Sequence, residues 1–261
     1  MTEIGEKIAV LNMADKKEKC PFCPNKNLSQ CKSKKEELDT KVVSKPNQLA
    51  CAPLISKGEH SYTTAKHHLI SAKQCYAKLK RLVRMGALAK YDINDPPNGI
   101  PLPTVANNLR YTLGSSTEKK YGQLNAAEKK AVAFSVMSVE KAQWHVGHHA
   151  VQVELAEGWA NEEQNVPWRR GHLVSYDNEV IKKLIKLMST FKNQDDCDEK
   201  KPDKFKQKMD KLSSEIKGKL NAFKGPTPSS SSPFFVSQLA ADFAKQDVPI
   251  KNIKAPRKAK P

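Results

Sequence analysis

The apolar positions along this chain change period several times, and each change predicts an element. Tyr62, Thr63, Thr64, Leu69 and Ile70 suit a strand over Tyr62–Ser71 that carries His67 and His68. Cys75, Tyr76, Leu79, Leu82 and Val83 then recur at three and four residues, predicting an amphipathic helix over Ala72–Met85. Lys78, Lys80, Arg81 and Arg84 make the rest of its surface basic, and Gly86 is placed to end it as a left-handed cap. Asn98-Gly99 marks a turn, and Ile100-Pro101-Leu102-Pro103 must be extended because each proline fixes its own φ and biases its predecessor. Asn125 and Glu128 form a capping-box pair opening a helix that runs to about Gln143. Val151, Val153 and Leu155 suggest a further helix over Ala150–Trp159, and Asp177-Asn178-Glu179 opens a last core helix through Val180, Leu184 and Leu187. Phe205, Met209, Leu212, Ile216 and Leu220 keep helical spacing in a Lys-rich helix from Lys200 to Phe223.

These elements divide the chain into three regions. Residues 1–57 form a Cys-containing segment and linker, 58–191 the central domain, and 192–261 a Lys-rich helical, partly disordered C-terminal region. With 38% hydrophobic and 7% aromatic residues, one modest core with poorly packed ends is expected. The expected class is α+β, helical for the most part. No run approaches the ~20 apolar residues of a membrane span, so no membrane partner is expected. The N-terminus carries no secretory signal pattern, which predicts a protein made in the cytoplasm and exported only by a dedicated machine.

Forty-five Lys and Arg against 28 Asp and Glu leave a formal charge of +17. Such an excess favours a polyanionic partner, although Lys-rich tails also serve solubility alone. Six cysteines without a signal point to metal binding or free thiols rather than disulfides. Cys20-Pro21-Phe22-Cys23 offers two thiolates on one tight turn, as half of a structural zinc site, but Cys31 and Cys51 are isolated. A pair of merely adjacent thiols and a redox pair are the competing readings.

Five of the seven histidines fall in two blocks, Lys66-His67-His68-Leu69-Ile70 and His145-Val146-Gly147-His148-His149. Phosphodiester hydrolysis needs a base for water and a positive charge for the phosphate and the leaving oxygen, which an imidazole and one divalent ion supply. Neighbouring residues on a strand face opposite ways, so His67 and His68 can share a site only where the strand bends or ends. His145 and His148, read as the start of a helix, would put both rings near one face. Neutral imidazoles are needed in both roles, so activity should fall at acid pH. His60, His149 and His172 read as surface bystanders. Arg169 and Arg170 read equally as phosphate contacts or solvated loop charges.

Ala65-Lys66-His67-His68-Leu69-Ile70, Asp92-Ile93-Asn94-Asp95 with Asn98-Gly99-Ile100-Pro101-Leu102-Pro103, and His145-Val146-Gly147-His148 together resemble the AHH-type nucleases of the HNH/endonuclease VII superfamily. The resemblance covers roughly residues 60–160 and departs from the family in its extra Lys66 and in the some forty residues between Pro103 and His145. It implies a ββα-metal (His-Me finger) core embedded in additional helices. His67 would bind one divalent ion, Mg²⁺ first, with Mn²⁺, Zn²⁺ or Ni²⁺ as alternatives. His68 would be the general base. Asn98 would be the second catalytic-site residue, bracing the loop that holds the two strands and the His68 ring. His148 would be the ligand from the helix, and His145 a second ligand or a phosphate contact. Asp92 and Asp95 are outer partners of a ligand ring or turn residues. The implied activity is metal-dependent DNA hydrolysis by a secreted effector toxin of the polymorphic or type VI kind. It would act in the cytoplasm of target cells and be held in check by an acidic immunity protein, with the ends of the chain available to a secretion adaptor or chaperone. Two competing readings are a zinc-stabilised nucleic-acid-binding protein without catalysis and an RNase using the same site.

Overall fold

A computed structural model describes residues 19–23, 25–30, 49, 62–104, 109–111, 118–146, 148–153, 171–191, 200–222 and 234–245; for 148–153 it describes the backbone. The described residues form a mixed helix-and-strand, α+β arrangement of two-stranded sheets packed among helices. Strand β1 (Thr63–His68) pairs antiparallel with β2 (Gly99–Thr104), placing His67 opposite Ile100 and His68 opposite Gly99. Proline cannot donate to a sheet ladder and belongs on an edge. Pro101 and Pro103 both lie on β2, two residues apart, so both turn their nitrogen away from β1. The outward carbonyl of Pro103 accepts the His145 amide at 2.8 Å, which ties a distant segment to the hairpin.

The single helix expected over Ala72–Met85 is two pieces. A π-helical turn, Ala72–Tyr76, is separated from α1 (Lys80–Leu88) by Leu79, whose φ of −105° and ψ of 80° break the helical path. Packing accounts for the break. In one straight helix residues 76 and 86 would stand about 15 Å apart along the axis, whereas the Tyr76 ring lies against Gly86. Gly86 is therefore inside α1 and is not its cap; the left-handed residue is Lys90, with φ 51°. Further on, β3 (Arg110–Tyr111) pairs with β4 (Lys119–Lys120), and α2 (Ala126–Glu140) opens on the Asn125/Glu128 capping box. Residues 150–153, expected in a helix, belong to strand β5 (His148–Val153), which pairs parallel with β6 (Gly171–Leu173). Val151 and Val153 are two apart and β-branched, which is the strand period.

Helix α3 (Val174–Ser189) follows β6 directly, and α4 (Lys201–Asn221) and α5 (Gln238–Lys245) complete the described elements. The Lys-rich helix α4 buries Phe205, Met209, Leu212, Ile216 and Leu220. They join one core with Phe22, Leu69, Ile70, Tyr76, Leu82, Met85, Ile93, Tyr176 and Val180. A second cluster gathers Phe134, Met137, Trp144, Leu173, Phe235, Leu239 and Phe243. Among the described residues, no helix is long and apolar enough to cross a membrane.

Candidate metal centre

Strand alternation sends His67 and His68, at the end of β1, to opposite sides. The His67 ring stacks on His172 with centroids 5.1 Å apart and an 11° interplanar angle, and meets His145 edge-on at 5.4 Å. His145 and His172 are themselves edge-on at 5.0 Å, with their Nε2 atoms 3.2 Å apart. The three are buried, at 1%, 4% and 0% exposure, and their ligand atoms lie within 4.8 Å of one another. Two nitrogens bound at about 2.05 Å to one tetrahedral ion stand about 3.3 Å apart, so the His145–His172 pair has the separation that shared coordination needs. The cluster can hold a metal ion.

Each imidazole comes from a separate element. His67 lies on β1, and His172 lies on β6 just before α3. His145 follows α2 and is set by its amide bond to Pro103 and by the Thr104 hydroxyl, which donates to its carbonyl at 3.0 Å. Just upstream, the Gln143 side chain donates to the Phe234 carbonyl and accepts from the Val236 amide, both at 2.9 Å, and Ser237 Oγ donates to the Trp144 carbonyl at 2.6 Å. The Phe234–Ser237 segment thus clamps the approach to His145.

Tyr176, in the first turn of α3, fixes the His67 tautomer. Its hydroxyl donates to the Leu69 carbonyl at 2.8 Å, so its oxygen accepts from His67 Nε2 at 3.3 Å. The proton of a neutral His67 is then on Nε2 and the lone pair on Nδ1. Complete burial pushes the Tyr176 phenol well above its ordinary range, which keeps it a neutral donor. Next to it, Asp177 Oδ1 accepts from Ser71 Oγ at 3.2 Å and Cys75 Sγ at 3.1 Å, joining the π turn to α3. Burial, and then the Asp177 charge, raise the Cys75 thiol well above its usual value, so it stays protonated.

On the other side of β1, His68 is 5% exposed and its Nε2 lies 3.1 Å from Asn94 Oδ1. An amide oxygen only accepts, so this bond puts the His68 proton on Nε2 and leaves Nδ1 as the basic nitrogen. Asp92 Oδ1 accepts the Asn94 amide at 2.8 Å and holds that turn. Asp95 pairs with Lys206 at 3.3 Å. Asp92 therefore acts within the turn, and Asp95 ties the turn to the helix that carries Lys206. Asn98 is buried and spends its amide on backbone: Oδ1 accepts from the Ile70 amide at 2.8 Å, and Nδ2 donates to the carbonyls of Ile93 (2.8 Å) and Ile70 (3.1 Å). Ser213 Oγ of α4 reaches Asn98 Oδ1 at 3.3 Å.

Set against the sequence expectations, the structure brings His67 and His145 together and adds His172, which was read as a surface bystander. It is fully buried because β6 runs parallel to β5 and delivers it to the cluster. His145 and His148 do not share a helix: one is in a connection and the other opens β5. The side chains of His148 and His149, together with His60, Arg169, Arg170, Cys31 and Cys51, lie outside the described residues. Asn94, Tyr176 and Ser213 were missed altogether. Asn94 was legible only as part of a turn, and the other two reach the site through long-range packing. No protein-family model matches the chain, and no curated protein or solved structure does either.

Proposed function

We propose that this protein is a metal-dependent endonuclease that hydrolyses DNA phosphodiesters. The proposed core is of the ββα-metal kind, formed on the β1–β2 hairpin. One observation carries the reading: adjacent histidines at the end of a hairpin serve two different environments. His67 enters a three-imidazole cluster, while His68, on the other side of the strand, is oriented by the Asn94 amide. The resemblance of the three His/Asn blocks to the AHH-type nucleases supports the same division of labour.

The donor set favours an imidazole-preferring ion. Mg²⁺ is bound through oxygen ligands, whereas three neutral imidazoles suit Zn²⁺, Ni²⁺ or another first-row ion, so Zn²⁺ replaces Mg²⁺ as the first choice. When bound, the ion supplies Lewis acidity for the phosphate and the leaving oxygen. In this proposal His68 would take the proton of the attacking water, which requires the end of β1 to turn its ring toward the His67 side, and Asn94 holds that ring. Asn98 fixes the loop on which both histidines depend. Tyr176 orients His67 from behind. The +17 charge supports a polyanionic substrate and an acidic inhibitor alike. Export as an antibacterial effector, with an immunity partner, is part of the same proposal.

The near-complete burial of all three imidazoles favours a second reading, a structural zinc centre in a non-catalytic nucleic-acid-binding protein. Plasmid and RNA cleavage with Zn²⁺, Ni²⁺, Mn²⁺ or Mg²⁺ and with EDTA, beside His68→Ala and His172→Ala, separates the two. Metal-dependent nicking that both variants abolish is the expected result. Cleavage of RNA alone moves the substrate to RNA. Intact substrates under every metal, with stoichiometric zinc retained, would favour the structural centre.

A further inference from the structure

A second cluster of metal-ligating side chains lies away from the imidazoles, in the Cys20–Cys23 turn. The turn is closed by the Cys20 amide to the Lys26 carbonyl and the Lys26 amide to the Cys23 carbonyl, both 2.9 Å, above a bridge between Lys19 and Asn27. Both cysteines are buried, at 1% exposure. The surrounding groups direct donors at their sulfurs. Burial raises the Cys20 thiol above its ordinary value, and the backbone amides of Cys23 and Phe22, which hydrogen-bond its sulfur, pull the other way. Lys201, itself 2% exposed, donates Nζ to Cys23 Sγ at 3.2 Å. Arg81 donates Nε to the Pro21 carbonyl at 2.8 Å, which sets a guanidinium close to both thiols.

Amide N–H groups aimed at a cysteine sulfur from two and three residues on suit a metal-held thiolate, whose burial the metal charge offsets. Two adjacent buried thiolates repel each other, and a soft cation bound between them removes the conflict. We propose that Cys20 and Cys23 are two thiolate ligands of a tetrahedral zinc ion, with Lys201 donating to the coordinating Cys23 sulfur. This centre is independent of the nuclease reading. Among the described residues no third His, Cys, Asp or Glu closes on the pair. The centre would hold the turn against α1 through Arg81 and against α4 through Lys201. Phe22, inside the turn, packs edge-on to Phe191 at 5.5 Å and Phe205 at 5.9 Å, so the ion would also set one side of the core.

The test uses the full chain. Total zinc is counted by mass spectrometry, and the wild-type protein is titrated with a thiol-specific mercurial in the presence of a zinc-sensitive dye. One zinc per chain is expected to be released as the thiols react, in the wild type and equally in His145→Ala/His172→Ala. Cobalt replacement should give a near-ultraviolet sulfur-to-metal charge-transfer band, which an all-imidazole site does not produce. Cys20→Ser/Cys23→Ser should lose the band and one metal equivalent. The mercurial arm needs no variant, so a misfolded serine protein does not blunt the test. A mercurial that releases no zinc, an absent charge-transfer band, or a Cys20–Cys23 disulfide in the freshly purified protein overturns the proposal.

Discussion

Gly86→Ala is expected to destabilise the protein, although alanine is the better helix former by about 1 kcal/mol. A Cβ at residue 86 would lie 1.8 Å from Tyr76 Oη and 3.1 Å from Cζ. Ordinary contact begins at 3.4 Å, so the ring tip must retreat by about 1.6 Å. Tyr76 has nowhere to go, being fully buried with the Tyr91 ring 5.8 Å away. Overpacking of this kind costs about 3 kcal/mol at a site that cannot give, leaving a net loss of about 2 kcal/mol after the helix gain. The Tyr76 hydroxyl finds no hydrogen-bond partner among the described residues. Tyr76→Phe therefore removes the clashing atom without breaking a bond. In that background the nearest atom is Cζ, and Gly86→Ala should become neutral or stabilising, a coupling of about 2 kcal/mol. Urea unfolding of the four proteins, followed by far-ultraviolet circular dichroism, measures each term. Equal effects of Gly86→Ala in both backgrounds would refute the packing account.

Three further predictions concern the site and its surroundings. Tyr176→Phe should weaken metal binding about 10- to 100-fold in titration calorimetry with the circular dichroism unchanged; unaltered affinity would sink the tautomer assignment. Asn98→Ala strands the Ile70 amide and the Ile70 and Ile93 carbonyls, each at about 1–3 kcal/mol, so a loss below about 1 kcal/mol on urea unfolding would contradict its bracing role. Burial raises the Asp242 carboxyl above its ordinary value, against the weaker opposing pull of Gln238 and Lys130. A carboxyl raised in the folded state favours folding when protonated, and that stability is lost as pH climbs from the unfolded to the folded pKa. Asp242→Asn should accordingly raise the melting temperature at pH 7, with the advantage gone below about pH 3.

The sequence was most informative where structure is decided locally. Asn125 and Glu128 lie three residues apart and cap α2 reciprocally. The α4 apolar positions recur at four, three, four and four residues, and all five are buried. Asn98-Gly99 opens β2 as the turn chemistry requires. What escaped was decided across the chain. The period that suggested one helix over Ala72–Met85 is satisfied by two pieces, because Tyr76 packs back onto Gly86. Gly86 carries the signature of a cap and serves instead as the gap that accepts a ring. His172 has no local feature that separates it from a surface histidine, and only the parallel pairing of β5 and β6 gives it a role. Asn98 drew attention as a turn residue, yet its four side-chain hydrogen bonds reach from Ile70 to Ser213.

The clamp of Phe234–Ser237 on Gln143 and Trp144 has a consequence for biosynthesis. The Gln143 side chain meets its partners 91 and 93 residues further along the chain. During translation those partners are still unmade when all three cluster imidazoles have left the ribosome. A nascent chain therefore carries His67, His145 and His172 before Phe234–Ser237 can clamp the connection that leads to His145. The centre should mature late, and a ribosome-bound chain arrested at residue 225 should capture metal poorly beside the released protein.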